Sequence, residues 1–142
     1  IESLSCTMHG FVCVLEDGYL FAHTAKGEEI WSHQGNQIVE QAEGCMIGEN
    51  NSHWSARWDG LKGYLEVRNS LTGELIADME VSQIRAICGD EKTIAVGCDD
   101  GGVILWQSEL LTRRLEEKSP QQQPVDSRKS ALQAKLRALR DK

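Results

Sequence analysis

The amino-acid sequence predicts an all-β fold of antiparallel, four-stranded sheets that repeat along the chain, followed by a C-terminal α-helix. Two observations carry this prediction. Short apolar runs are bounded by Gly and Asp, and glycine-containing anchors recur at intervals of 39 to 46 residues. No helical periodicity appears before residue 108. The 142-residue chain is long enough for one domain with its own core and too short for two full ones.

The strands follow from short runs of apolar and β-branched residues. Residues 11–15 and 103–106 are such runs. Asp17-Gly18 predicts a two-residue hairpin turn that needs positive φ, and residues 99–102 form its longer counterpart. Strands of this length joined by tight turns are typical of antiparallel sheets.

Three segments of the sequence superimpose on one another. The triplet Gly-Tyr-Leu at residues 18–20 recurs 45 residues later at 63–65, and Gly-Val-Ile follows after 39 more at 102–104. A second anchor, Gly-Glu at residues 27–28, recurs 46 residues later at 73–74. A period of about 40 residues is typical of repeated four-stranded sheets.

These motifs resemble those of the β-propeller repeat families. The run GYLFAHTAKGEEIW, residues 18–31, looks like a quinoprotein-like blade, in which an apolar strand, a TGE turn and a Trp-bearing outer strand recur. The run SLTGELI, residues 70–76, is similar to it. The run IAVGCDDGGVILWQSE, residues 94–109, resembles a WD40 blade, although Gln107 follows Trp106 and the WD dipeptide is absent.

The resemblance implies an incomplete β-propeller. It covers about residues 1–117 as blades at about 1–35, 36–80 and 81–117. A closed propeller typically has about four to eight blades, and open sheet edges expose unpaired backbone groups. We therefore expect the chain to be part of a larger propeller or one half of a ring assembled from two chains. The alternative is a small β-sandwich.

No enzymatic site, cofactor or metal site is predicted. The residues that bind quinones or metals in dehydrogenases of the related fold have no match here. Asp99 and Asp100 are adjacent in a Gly-rich turn, where their carboxyl groups point apart rather than form an acid–base pair. These acids disfavour the thiolate of Cys98. The histidines show no metal-ligand spacing.

The cysteines and the absence of membrane-spanning runs bear on location. No run of about 18 apolar residues is present, and the N-terminal residues do not resemble a signal peptide. The cysteines are odd in number and form no CxxC pair, which favours free thiols in a reducing compartment. We therefore expect an intracellular, cytoplasmic protein. The five are Cys6, Cys13, Cys45, Cys88 and Cys98.

An enlarged connection in the second repeat predicts a partner-binding site. Residues 49–62 separate an apolar run at 45–48 from the strand at Tyr64, whereas the first repeat makes this link with a two-residue turn. Insertions on a rigid scaffold often carry binding residues, and Trp and Arg are enriched at interface hot spots. The alternative is a strand that buries Trp54, Ala56 and Trp58 on one face. The loop alternative nominates His53, Trp54, Arg57 and Trp58 as partner-binding residues.

The C-terminal segment predicts a linker over residues 118–126 and a basic amphipathic helix over 127–142. The net charge of the whole chain is −7, which divides into +5 over 127–142 and −12 over 1–126. Alone, such a short helix is marginally stable, so we expect it to dock on a protein surface. Its apolar stripe is Leu132, Leu136 and Leu139, and its basic residues include Arg128, Lys129, Lys135, Arg137 and Arg140.

The function predicted from the sequence is that of a non-enzymatic protein–protein interaction scaffold, with the C-terminal helix for docking or self-assembly. Its partners would be proteins, including a second copy of the chain. Two alternatives remain open. One is a propeller module that binds a small ligand or a glycan in loops or between blades. The other is association of the basic tail with nucleic acid or membrane, with an affinity that falls as salt rises.

Overall fold

The computed structural model describes residues 1–34 and 38–118 of the chain. In these ranges it contains three antiparallel sheets and one helix, which confirms the predicted all-β class with a C-terminal helix. Within the described ranges, no helix is long and apolar enough to cross a membrane. Residues Ile1–Thr112 form one compact unit, and a second unit, Arg113–Lys142, is described only as far as Lys118.

Consecutive strands pair in every sheet, so that each sheet is an antiparallel meander. Sheet 1 consists of β1 (Ser3–Thr7), β2 (Gly10–Val14), β3 (Tyr19–Thr24) and β4 (Glu29–Gln34). Sheet 2 consists of β5 (Ile38–Ile47), β6 (Asn50–Trp58), β7 (Gly63–Asn69) and β8 (Leu75–Val81). In the described part of the chain, sheet 3 consists of three strands, β9 (Ile84–Gly89), β10 (Thr93–Cys98) and β11 (Val103–Gln107).

The first strand of sheet 2 lies next to the first strands of sheets 1 and 3. Strand β5 contacts β1 on one side and β9 on the other. Gln41 of β5 donates from Nε2 to the Oγ of Ser3 in β1 over 2.7 Å. Sheets that meet through their first strands are arranged like blades around a common axis.

A bulge in β5 joins sheet 2 to sheet 3. The pairing of β5 with β6 shifts register between Gly44 and Ile47, where Cys45 is fully buried with a left-handed φ of 56°. The backbone N–H of Cys45 donates to the carbonyl oxygen of Asp90 over 2.7 Å, and that of Met46 donates to the next carbonyl over 2.9 Å. The last residues of β5 are therefore bonded to both sheets.

Helix α1 (Ser108–Lys118) follows sheet 3 directly, where the repeat predicts the fourth strand of the third blade. The reason is local. The segment consists largely of Glu, Leu, Arg and Lys, which favour a helix, and Leu111 and Leu115, four residues apart, share a half-buried face. Ser108 Oγ donates to the carbonyl oxygen of Met46, which holds the start of the helix against the end of β5. The helix propensity of this segment therefore prevails over the strand that the repeat predicts here.

The apolar side chains form two separate cores. Sheet 2 contributes one face to the second core, which it shares with sheet 3, and it turns its opposite face toward sheet 1. The first core consists of Val12, Val14, Leu20, Ala22 and Trp31 of sheet 1, with Ile30 and Ile38 packed against it. The second core consists of Cys45, Trp54, Ala56, Leu65, Val67, Ile84, Ile87, Ile94 and Val96.

Trp31 locks sheet 1 onto sheet 2. Its indole Nε1–H donates to the carbonyl oxygen of Ser70, in the turn between β7 and β8, over 2.9 Å. The ring lies against Gly73 of the same turn so closely that a Cβ atom there would be 2.7 Å from Trp31 Cδ2. Gly73 also has a φ of 72°, which disfavours other residues. Glycine is therefore required at this position both by the backbone and by the tryptophan.

The contribution of this contact can be isolated by comparing two glycines. Gly27 has a similar φ of 85°, but a Cβ atom there would meet nothing within 4 Å. We expect Gly27→Ala to cost about 1–2 kcal/mol of unfolding free energy from backbone strain alone. Gly73→Ala should cost about 1–3 kcal/mol more, because the methyl group must displace the indole. Urea unfolding of both variants measures the difference, and equal losses would contradict the locking role of Trp31.

Candidate functional site

A face of buried and half-buried polar side chains on sheet 2 is turned toward sheet 1. The strand register places Gln41 opposite Ser55 and Ser55 opposite Glu66, so these three share a face. The ring of Trp31 from sheet 1 lies 6.1 Å from the ring of His53 on this face, centroid to centroid. We call this face the polar layer: Gln41, Glu43, Asn51, His53, Ser55, Arg57, Glu66 and Arg68.

One half of the polar layer is an ion-pair cluster. The carboxylate of Glu66 lies between two guanidinium groups, with Oε1 at 2.5 Å from Arg57 Nη2 and Oε2 at 3.1 Å from Arg68 Nη2. Arg68 also donates from Nη1 to the carbonyl oxygen of Gly73 over 3.1 Å, which ties the cluster to the turn that receives Trp31. The Arg57 guanidinium lies 5.4 Å from the centre of the Tyr64 ring.

The other half of the polar layer is centred on Glu43. Its Oε2 accepts a hydrogen bond from Ser70 Oγ, and its Oε1 lies 3.2 Å from His53 Nδ1. A hydroxyl nucleophile is activated by a base that is hydrogen-bonded to it. Here the carboxylate stands between the hydroxyl and the imidazole, so Ser70 and His53 are not arranged as nucleophile and base.

The polar layer has unused hydrogen-bonding capacity. Side-chain atoms in this position usually bond to ordered water or to a ligand when the protein itself offers no partner. Gln41 and Ser55 are direct neighbours across the sheet, and each has one such atom. The buried side-chain atoms without a hydrogen-bond partner in the described part of the chain are Gln41 Oε1, Asn51 Oδ1, His53 Nε2, Ser55 Oγ, Arg57 Nε and Arg68 Nε.

His33 of β4 borders the polar layer from sheet 1. Burial lowers the pKa of its imidazole, and the positive charge of Arg68 lowers this pKa further. The carboxylate of Glu66 acts in the opposite direction but is outweighed. Burial and the neighbouring positive charge therefore both favour the neutral form of the His33 imidazole.

Within residues 49–62 the strand alternative holds for 50–58, but its expectation that Trp58 is buried is wrong, because this side chain is partly exposed. Residues 50–58 form the second strand of sheet 2, and the loop interpretation is wrong. His53 is 0% and Trp54 1% exposed, so neither can touch a partner from these positions. Trp54 packs at 5.3 Å from the ring of Trp106 in the second core, whereas Arg57 and Trp58 keep partly exposed side chains.

Other predicted site residues lie outside the described residues. They are the docking leucines Leu132, Leu136 and Leu139 and the basic residues Arg128, Lys129, Lys135, Arg137 and Arg140. The predicted linker over 118–126 lies outside as well, except that Lys118 ends helix α1. The docking and basic-tail hypotheses therefore stay predictions.

The Asp99-Asp100 turn has the geometry of a hairpin connection. Asp100 accepts hydrogen bonds from the backbone N–H of Gly102 over 2.7 Å and from Ser82 Oγ over 2.8 Å. These bonds lower the pKa of the Asp100 carboxyl group. Burial raises the pKa of the neighbouring Cys98 thiol, and both acids raise it further.

Among residues 1–34 and 38–118, no three His, Cys, Asp or Glu side chains are grouped as metal ligands.

The two end sheets carry exposed apolar side chains on the faces away from sheet 2. We call these the open face of sheet 1 and the open face of sheet 3. On sheet 3, Val103 is 69% and Leu105 64% exposed, and on sheet 1, Leu4 is 60% exposed. The strand register assigns Leu4, Cys6, Phe11, Tyr19, Phe21 and His23 to the open face of sheet 1, and Ala86, Cys88, Ala95, Val103 and Leu105 to that of sheet 3.

Sequence reasoning missed both the polar layer and the open faces. A signal for the layer is present, because polar and apolar residues alternate in β6 and β7. The usual inference from such alternation is that the polar side faces water. It fails here because Glu43 and Glu66 supply the partners that let His53 and Arg68 be buried.

Comparisons with known proteins give a fold and no family. No family model and no curated protein sequence matches the chain. A crystal structure of BamB from Moraxella catarrhalis is similar with a TM-score of 0.54 and 18% identity, covering 74% of this chain and 30% of that one. A structure of BBS1N in complex with ARL6DN is similar with a TM-score of 0.60 and 15% identity, covering 74% of this chain and 33% of that one. The fold is therefore that of a β-propeller-like segment, and the chain spans about a third of each similar structure.

Proposed function

We propose that the chain is a propeller segment that acts as a non-enzymatic protein–protein interaction module. The observation that carries this proposal is the exposure of apolar side chains on both end sheets, with Leu4, Val103 and Leu105 each at least 60% exposed. Exposed apolar patches on soluble proteins often mark interaction sites. A similar fold occurs in the structure of BBS1N in complex with ARL6DN, which supports a protein as the partner class.

Two finer elements belong to the same proposal. The C-terminal stripe of Leu132, Leu136 and Leu139 would act as a docking or self-assembly helix, which makes the chain a scaffold. The module would work in a reducing, intracellular compartment, because the five cysteines are unpaired and Cys6 and Cys88 are exposed.

Site-specific photo-crosslinking tests the interaction function. A photoreactive phenylalanine analogue at position 105 of the full chain should give discrete protein adducts when the chain is expressed in cells. The matched control places the analogue at Leu61, which is 87% exposed but lies in the turn between β6 and β7. Equal adduct yields at the two positions would contradict the proposal, because they would show random contact.

The second candidate function, binding of a small polar ligand, is favoured by the unpartnered atoms of the polar layer. Trp31 lies beside the layer, so its fluorescence should change when such a ligand enters between sheets 1 and 2. A titration with mono- and disaccharides tests this candidate, with Trp31→Phe as the control that removes the reporter. A signal that persists in the Trp31→Phe variant would come from another site and would count against the polar layer.

A further inference from the structure

His33 faces sheet 2 from the outer strand of sheet 1. In the register of β3 and β4 it pairs with Leu20, and Trp31 pairs with Ala22, so both side chains lie on the face that carries the first core. The imidazole is half-buried there. Trp31 reaches across to sheet 2, where its indole Nε1–H donates to the carbonyl oxygen of Ser70. The His33 imidazole is therefore part of the contact between sheets 1 and 2.

Glu66 is the carboxylate whose charge acts on His33, and two guanidinium groups already share it. Its Oε1 lies 2.5 Å from Arg57 Nη2, and its Oε2 lies 3.1 Å from Arg68 Nη2. A proton on His33 would therefore add a third positive charge beside a single negative one. Burial, Arg68 and Arg57 lower the pKa of His33, and together they outweigh Glu66.

Glu43, the other carboxylate of the polar layer, is also occupied. Its Oε2 accepts a hydrogen bond from Ser70 Oγ, and its Oε1 lies 3.2 Å from His53 Nδ1. Among the described residues, the salt bridges involve one histidine, His53, and not His33. A buried charge without a partner is costly. A proton on His33 would therefore stay uncompensated as long as sheet 1 lies on sheet 2.

Every strand of sheet 2 contributes charged or titratable groups to the face of the polar layer. Those on the outer strand β8, Asp78 and Glu80, are exposed, and Glu80 is paired with Lys62 at 2.9 Å. The charges that act on His33 are those of Arg68, Glu66 and Arg57. The groups on the other three strands are Glu43 on β5, His53 and Arg57 on β6, and Tyr64, Glu66 and Arg68 on β7.

We propose that the contact between sheets 1 and 2 is a proton-sensitive switch, which opens when His33 binds a proton. In the closed state the imidazole is neutral and Trp31 is bonded to sheet 2. In the open state the imidazole is hydrated, and its pKa returns toward the ordinary value of about 6.5. The open state then binds the proton more strongly, so the closed state is favoured above that pH and is lost as the pH falls below it. Opening exposes the first core and the polar layer together.

Hydrogen exchange of two indole N–H groups measures this opening. Trp31 Nε1–H is bonded across the contact to Ser70, whereas Trp54 Nε1–H is bonded within sheet 2 to Ser52 Oγ and reports on global unfolding. NMR of the full chain follows both groups, with rates corrected for the exchange of free indole. We expect the opening constant of Trp31 to exceed that of Trp54 by about tenfold or more. It should also rise by about twofold to tenfold between about pH 7.5 and about pH 5.5.

Three variants separate His33 from the other titrating groups. His33→Gln cannot be protonated, so the rise at Trp31 should disappear. His23→Gln is the matched control, because His23 lies on the open face of sheet 1, and it should keep the rise. His33→Arg carries a permanent positive charge and should raise the opening constant of Trp31 already at about pH 7.5.

Two results would overturn the proposal. If the rise at Trp31 persisted in His33→Gln, another group such as His53 would be responsible. If Trp31 and Trp54 shared one opening constant at every pH, sheet 1 would leave sheet 2 only by global unfolding. None of these measurements uses a binding partner, so they are independent of the crosslinking experiment at position 105.

Discussion

Replacement of Trp54 by alanine is expected to lower the free energy of unfolding by about 3–5 kcal/mol. The indole is 1% exposed and packs at 5.3 Å from the Trp106 ring, between sheets 2 and 3. Its Nε1–H donates to Ser52 Oγ over 2.7 Å. Alanine would leave a large cavity in the second core and remove this hydrogen bond. Urea unfolding followed by circular dichroism measures the loss.

The matched control for Trp54→Ala is Leu61→Ala. Leu61 follows β6 in the turn toward β7 and is 87% exposed, so its truncation should change the unfolding free energy by no more than about 0.5 kcal/mol. If Trp54→Ala were equally mild, residue 54 would have to lie at the surface. That result would restore the contact-loop interpretation of residues 49–62.

Replacement of Glu66 by alanine should cost a similar amount, about 3–5 kcal/mol, because it leaves two guanidinium groups without their carboxylate. The side chain of Glu66 is 9% exposed and that of Arg68 is 7% exposed, so water cannot readily take the place of the lost partner. Glu66→Gln keeps the volume and one acceptor oxygen, and its loss should lie between those of wild type and Glu66→Ala. Thermal and urea unfolding of the two variants test this order.

An exposed ion pair on the same sheet provides the control for Glu66. Lys62 Nζ lies 2.9 Å from Glu80 Oε2, with side chains 54% and 55% exposed. Glu80→Ala should therefore cost only about 0–1 kcal/mol. If Glu66→Ala cost no more than Glu80→Ala, water would have free access to the polar layer, and the layer would not be part of the packed interior.

The sheets could be predicted because turn chemistry and strand patterns are local properties of the sequence. Asp17-Gly18 and the Gly-Glu pair at 27–28 and 73–74 lie where the chain reverses in the structure, although the first connection spans residues 15–18 and is longer than the predicted two-residue turn. The contact between Trp31 and Gly73 could not be predicted, because it joins two repeats 42 residues apart. Sequence similarity between the repeats shows that the turns are equivalent, and only the structure shows which of them is covered.

The error over residues 49–62 has a physical origin in β5. By sequence, the apolar run at 45–48 resembles the strand that precedes the Gly-Tyr-Leu anchor in the first repeat. In the structure this run belongs to the end of the ten-residue β5, where the bulge at Cys45 turns the backbone toward sheet 3. The matching strand is β6, which precedes Gly63 as β2 precedes Gly18. Because every second residue of β6 is polar, its sequence is similar to that of a surface loop.

The two faces of sheet 2 have a consequence for how substitutions combine. The first core lies on the sheet 1 side and the second core on the sheet 3 side, and the polar layer separates them. Energetic coupling between substitutions is strong when residues touch and weak when they are more than about 7–10 Å apart. The changes in unfolding free energy caused by substituting Leu20 and Ile94 should therefore be additive in the double variant. A substitution in one core therefore needs no compensating substitution in the other, because sheet 2 lies between them.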